Sequence, residues 1–312
     1  MKKIFHFSKA FLPCAIGSTI IIIFGVVGFF YKGINLGLDF KPGLLEQVNI
    51  VSANKAVTTE SVQDSLVSMK GVEVKQVGGD GGTGFQIRLG LMENKTSREQ
   101  GDMVLRNLYE AFGKENVTEV QTSYIGAQYS SSLAKSVVLL VLATFALIWL
   151  YAMIRFHWDF AFGAIIALVH DSLIMMTFII WTQMEFTSTT IAAILTIVGY
   201  SINATVVILD RVRENMKLYP DEQQFDVILD RALSETLSRS LITTITTLFA
   251  SVALYIFTTG SIRDFASALN IGLISGCYSS MYISSGFILL VRKHAKKNSA
   301  NMKKEIEVSK AE

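Results

Sequence analysis

His170 and Asp171 sit midway along an apolar stretch running from Leu168 to Met175. A carboxylate at membrane depth costs roughly 2.5–3.5 kcal/mol on insertion scales, so it needs a partner, water or a proton. Two readings follow: a proton or ion relay, or a hydrogen-bond partner for a neighbouring helix. Asn203 poses the same question inside Gly199–Arg211, an apolar run that exits into charge at Asp210 to Glu214. An amide there is either a functional group or glue between helices. Further on, Arg239, Thr243, Thr246 and Thr247 recur at helical offsets and form one polar stripe. Such a stripe should not face lipid. Arg239 lies within about one turn of the helix end, where a long cation can snorkel. It could also lower the proton affinity of a nearby carboxylate until a movement separates the two.

These residues need membrane helices to hold them, and the composition supplies them. The 312 residues are 51% hydrophobic and 17% charged, with a mean hydropathy of +0.42. That is too apolar for an ordinary soluble domain. Windows of about 20 apolar residues near 11–30, 133–152, 160–180, 188–209, 239–258 and 266–291 predict six transmembrane helices. The first, behind Lys2 and Lys3, is too long for a signal-peptide core and reads as an uncleaved span. Lys9, Arg155, Arg211, Arg213, Lys217, Arg231 and Arg292 fall on one side if both termini are cytoplasmic, as the positive-inside rule prefers. The net charge of +2 gives no basic surface for nucleic acid. Cys14 and Cys277 do not suggest a structural disulfide or a zinc site, and the four histidines are scattered. No nucleophile elbow, phosphate loop or zinc-protease motif appears, so the sequence suggests no enzyme, cofactor or metal.

Residues 33–130 form a polar insert on the extracytoplasmic side, between the first helix (1–32) and the remaining five (131–292). Strands are predicted at Glu46–Val51, Val72–Val77, Phe85–Leu91 and Val117–Tyr124, and helices at Thr59–Met69 and Arg98–Phe112. The order βαββαβ is that of a ferredoxin-like α+β domain. Gly78 to Gly84 reads as a hairpin loop and not a phosphate cradle, because a strand follows. Asp221 to Leu237 is amphipathic, which suits a helix lying on the cytoplasmic membrane surface or packed under the bundle. Gly272 and Gly276 suggest close helix packing. A basic tail, 293–312, follows.

Several ordered motifs carry a resemblance. They are Gly37-Leu38-Asp39-Phe40 after the first helix, Ile125-Gly126 before the second, Arg155-Phe156 through Trp158, and Gly163-Ala164. His170-Asp171, Gly199 to Asn203, Thr236 to Ser240, Asp264-Phe265-Ala266 and Gly276 through Ser280 continue the series. In this the chain resembles the SecD/SecF family of bacterial protein-export membrane subunits, within the resistance-nodulation-division superfamily. The small insert favours the SecF type. Lys41-Pro42-Gly43 departs from the two glycines that usually continue the first motif, and Ala127 replaces a proline.

The resemblance implies an accessory subunit that works with SecD and the SecYEG translocon on a translocating preprotein in the inner membrane, driven by an ion gradient. The family usually has an aspartate after Ser-Ile-Asn, taken to couple protons or sodium. This chain has Ala204 there, while Arg239 matches the family's membrane arginine. Coupling then rests with the SecD partner, is rerouted through Asp171, or is lost. The ion-pathway candidates are Asp171, Asn203, Ala204, Arg239 and Thr243. Gly37, Asp39, Phe40, Gly126 and His170 are motif positions without an assigned role. A small-molecule or lipid exporter subunit and a purely structural assembly subunit are the rival readings.

Overall fold

The computed structural model describes residues 4–37, 39–51, 57–69, 71–77, 84–92, 96–220, 222 and 224–294. Most of the hairpin loop, at 78–83, and the tail beyond 294 lie outside these.

Six helices are long and apolar enough to cross a membrane. They are α1 (Phe11–Lys32), α4 (Ala127–Arg155), α5 (Trp158–Thr182), α6 (Ser188–Leu218), α7 (Phe225–Phe257) and α8 (Gly260–His294). Between α1 and α4 lie β1 (Gly43–Ile50), α2 (Thr59–Ser65), β2 (Val72–Val77), β3 (Gly84–Gly90), α3 (Ser97–Phe112) and β4 (Val117–Ile125).

The sheet runs β2-β3-β1-β4, and every neighbouring pair is antiparallel. With two helices on one face, this is the ferredoxin-like arrangement. Alternation sets the faces: Leu44, Val48 and Ile50 of β1 are buried with Phe85, Ile87 and Leu89 of β3. Val62 and Leu66 from α2 and Val104 and Leu108 from α3 close this core. Both helices begin at capping boxes, Thr58 with Ser61 and Thr96 with Glu99. β1 starts three residues before the expected Glu46, because Gly43 lets the Leu89 carbonyl come where a side chain would sit. α2 ends at Ser65, and the chain reaches Met69 through turns.

The bundle is not uniform. Of the apolar windows, 56% is buried in α5 and α8 and 44% in α6, against 17% in α1 and α7 and 6% in α4. Thus α5, α6 and α8 form the centre. Glycines set the close approaches: Gly25 and Gly28 of α1 meet Thr177 and Trp181 of α5, and Gly272 of α8 meets Ile197 and Met175. Trp181 also stacks on Phe24 with ring centroids 4.0 Å apart, and its Nε1 donates to the Phe24 carbonyl.

Of the two readings of the amphipathic segment, its described part from Phe225 shows packing under the bundle. From Phe225 onward it is the beginning of α7, which runs without a break to Phe257. Ile228, Leu229, Ala232 and Leu233 pack against Phe11, Phe160, Leu209 and Val212 under the bundle. Its apolar face meets protein because α1, α5 and α6 all end there and leave apolar surface to cover.

Candidate functional site

Asp171 is fully buried at the junction of α5, α6 and α8. Its Oδ2 accepts from Ser201 Oγ of α6 at 2.6 Å and from Ser279 Oγ of α8 at 2.7 Å. Its Oδ1 accepts from Ser275 Oγ at 2.6 Å and lies 3.1 Å from His170 Nδ1. Ser275 and Ser279 are one turn apart on α8 and present one face. Gly276 sits between them, and a methyl there would stand 3.2 Å from Ser201 Cβ and 3.6 Å from Asp171 Oδ2. Its bare backbone is what lets α8 approach. A carboxylate offers about four acceptor positions, and four groups surround this one. The π-turn Ser280–Ser284 follows directly. His170 Nε2 is buried without a partner among the described residues, and its ring centroid is 5.9 Å from that of Tyr278.

A buried polar group is costly unless it is hydrogen-bonded, and these bonds offset that cost. The cluster's main effect is therefore specificity: three helices meet in one register. Sequence reasoning singled out Asp171 but not Ser201, Ser275 or Ser279. The spacing of Ser275 and Ser279 around Gly276 was the available signal.

The other ion-pathway candidates lie elsewhere. Ser201 points inward, so Asn203, about 200° further around α6, points out and is exposed. Ala204 is half-buried. On α7, Ser240, Thr244 and Ser251 face the bundle, with Tyr200 Oη 3.3 Å from Thr244 Oγ1. Arg239, Thr243 and Thr246 face out. The hydroxyls of Thr243 and Thr246 donate back to the carbonyls of Arg239 and Ile242 at 2.9 Å. Arg239 has no carboxylate partner among the described residues. It borders a cleft of 620 Å³ with Asp210, Arg211, Glu214 and Glu235. The acids there are already engaged: Asp210 by Arg155 at 2.8 Å, and Glu235 by Arg211 at 2.6 Å and Asn215 at 2.9 Å. Asp171 and Arg239 are thus not brought together; one is central and the other is on the outer surface.

The motif residues form a clamp. Gly37 N donates to Phe186 O at 2.9 Å and Phe186 N to Asn35 O at 2.8 Å, which ties the linker after α1 to the α5–α6 loop. Gly37 is buried against Thr187, where a side chain would not fit. Asp39 Oδ2 accepts from Ser188 N at 2.7 Å and from Ser188 Oγ at 2.5 Å. An acidic group on the first turn of α6 complements the helix dipole. The Phe40 and Phe186 ring centroids are 5.7 Å apart. Gly126 is the extended residue that caps α4, with nothing within 4 Å of its missing Cβ. The α/β domain is held down further by Arg88–Glu185 at 2.5 Å and Lys75–Asp264 at 3.9 Å.

Comparison with known proteins decides the family. Residues 104–294 match the protein export membrane protein SecD/SecF C-terminal family. The chain belongs to the SecD/SecF family. Protein translocase subunit SecF of Borreliella burgdorferi is 32% identical over 305 residues, covering 95% of this chain and 100% of that one. SecF of Sebaldella termitidis is 33% identical over 303 residues, covering 92% of each. SecF of Treponema pallidum is 46% identical over 191 residues, 61% of this chain, which spans 45% of that protein's length. The crystal structure of SecDF from Thermus thermophilus, a translocon-associated membrane protein, superposes with a TM-score of 0.82 at 28% identity. It is matched over 93% of this chain, which spans 39% of the SecDF chain. The SecF-type resemblance, the six spans and the four-stranded domain all stand. The chain is a multi-pass membrane protein of the protein-export family.

Proposed function

We propose that this chain is the accessory subunit of the Sec preprotein translocase that works with SecD, beside SecYEG, to promote export using the ion gradient. It lies in the bacterial inner membrane with both termini cytoplasmic. Residues 33–130 form the extracytoplasmic domain and 293–312 a cytoplasmic tail.

One observation carries the reading. Asn203, Arg239 and Thr243 are polar, lie on helices long and apolar enough to cross a membrane, and are exposed on the outer surface of α6 and α7. Lipid does not solvate an unpaired guanidinium and amide. A second bundle would cover them, and SecD is the partner that the matched SecDF chain suggests. A carboxylate from SecD would meet Arg239 across this seam and replace the aspartate that Ala204 lacks. The enclosure of Asp171 by Ser201, Ser275 and Ser279 supports a structural task for it, so coupling need not pass through it.

The test is export of a reporter preprotein into vesicles containing this chain and its SecD, with and without a proton or sodium gradient. Gradient-stimulated export that Arg239→Ala removes is the expected result. Equal export by both, with normal assembly, overturns coupling across the seam. The structural assembly reading, which Ala204 favours, predicts that second result.

A further inference from the structure

The helix-free face of the sheet does not look into open solvent. It faces the outer ends of α6 and α8, and a cleft of 420 Å³ lies between them. Its ceiling is ordered. Gln47 of β1 pairs in register with Gln86 of β3 on one side and Gln121 of β4 on the other, and Gln86 pairs with Lys75 of β2. Three carboxamides therefore stand in one row across the sheet, all lining the cleft. Three strand spacings take the row from Lys75 to Gln121 over about 14 Å, the length of about four extended residues. The floor carries Thr189, Thr259 and Ser261.

The side chains of Gln47 and Gln86 have no hydrogen-bond partner among the described residues, although both are half-buried. Both cations at the cleft are paired, Arg88 with Glu185 and Lys75 with Asp264, and the remaining charge, Asp39, is held by the Ser188 amide and hydroxyl. That leaves no free cation among the described residues to select an anionic ligand. Neutral amides and hydroxyls remain, each able to give and accept a hydrogen bond.

Resting on the export reading above, we propose that this cleft holds a short extended stretch of the translocating polypeptide, gripped through its backbone. A peptide backbone offers one donor and one acceptor at nearly every residue, whatever the side chains. Carboxamides answer both without preference for sequence or charge, which an export path for varied clients requires. Each such bond is weak in water, so the chain can be released. The ceiling belongs to the α/β domain and the floor to the bundle, so both parts of the chain contribute to the grip.

The test uses membranes containing this chain with its partner and the translocon. A photoreactive p-benzoylphenylalanine replaces Gln47, Gln86 or Thr189, with Arg106 on the far helical face as reference, and a radiolabelled secretory polypeptide is stalled in transit. Adducts from the three cleft positions several-fold above those from Arg106 are expected. Equal or absent adducts at all three overturn the cleft as the site. A second measurement uses Gln47→Leu with Gln86→Leu, whose export rate should fall several-fold at unchanged subunit level. An unchanged rate also overturns it. Omitting the subunit separates the two ideas. If export does not depend on it, the export reading fails. If export depends on it but the cleft gives no adducts, only this inference fails.

Discussion

The Ser279 hydroxyl lies 2.7 Å from the Asp171 carboxylate, although the two are 108 positions apart in the chain. This bond joins α8 to α5 at the centre of the bundle, and Ser201 brings α6 to the same oxygen. Removing the acceptor leaves the Ser201 and Ser275 hydroxyls unpaired and Ser279 with only its 3.3 Å bond to the Gly276 carbonyl. Asp171→Ala should therefore destabilise the chain by about 1–3 kcal/mol for each hydroxyl left unpaired. Asp171→Asn, which keeps one acceptor oxygen, should cost clearly less. Thermal unfolding in detergent measures both, and equal losses would show that the hydroxyls do not depend on the carboxylate.

Gly272 and Gly276 make that junction possible. A methyl at Gly272 would press on Ile197 and Met175, and one at Gly276 on Ser201. Gly272→Ala should cost roughly 1–3 kcal/mol through overpacking. Gly276→Ala should cost less, because its nearest contact is 3.2 Å and can give by a few tenths of an ångström. The reverse order in melting temperature would contradict this packing.

Glu46 supplies a pH dependence. Its side chain is fully buried under α3, Thr122 donates to Oε1 at 2.7 Å, and Oε2 has no partner among the described residues. Burial pushes its pKa from 4.5 up to about 7, Thr122 opposes this, and Glu119 and Asp102 add to it. The folded state then holds a proton that the unfolded chain releases. Stability should fall as pH rises from 4.5 towards 7 and level off above, by on the order of 3 kcal/mol. Glu46→Gln should flatten that slope. Hydrogen exchange at β1 and β4 amides, corrected for intrinsic rates, reads it out; a slope unchanged in the variant would assign it to another group.

Arg239 and Thr243 should be open to reagents in the isolated subunit and closed in the complex. Single cysteines at either position should react with a membrane-soluble maleimide several-fold faster without SecD than with it. Cysteine at Leu254 serves as the lipid-facing reference. Arg239→Ala should shift the stability of the isolated chain by no more than about 0.5 kcal/mol, as expected for a surface change. Labelling indifferent to SecD would mean that this face is not the seam.

The six spans and the βαββαβ order could both be read along the chain, because each is a local pattern of hydropathy. His170-Asp171 also stood out, since any carboxylate in an apolar run does. What surrounds Asp171 could not be read. Serines are ordinary in membrane helices, and Ser201, Ser275 and Ser279 become a set only when three helices cross at Gly276. The direction of a polar stripe was equally hidden. Ser240 and Thr244 face in while Arg239 and Thr243 face out, and a sequence does not say which side of α7 the bundle occupies. Helical periodicity gives an angle around one axis; only packing against the neighbouring axes turns that angle into inside or outside.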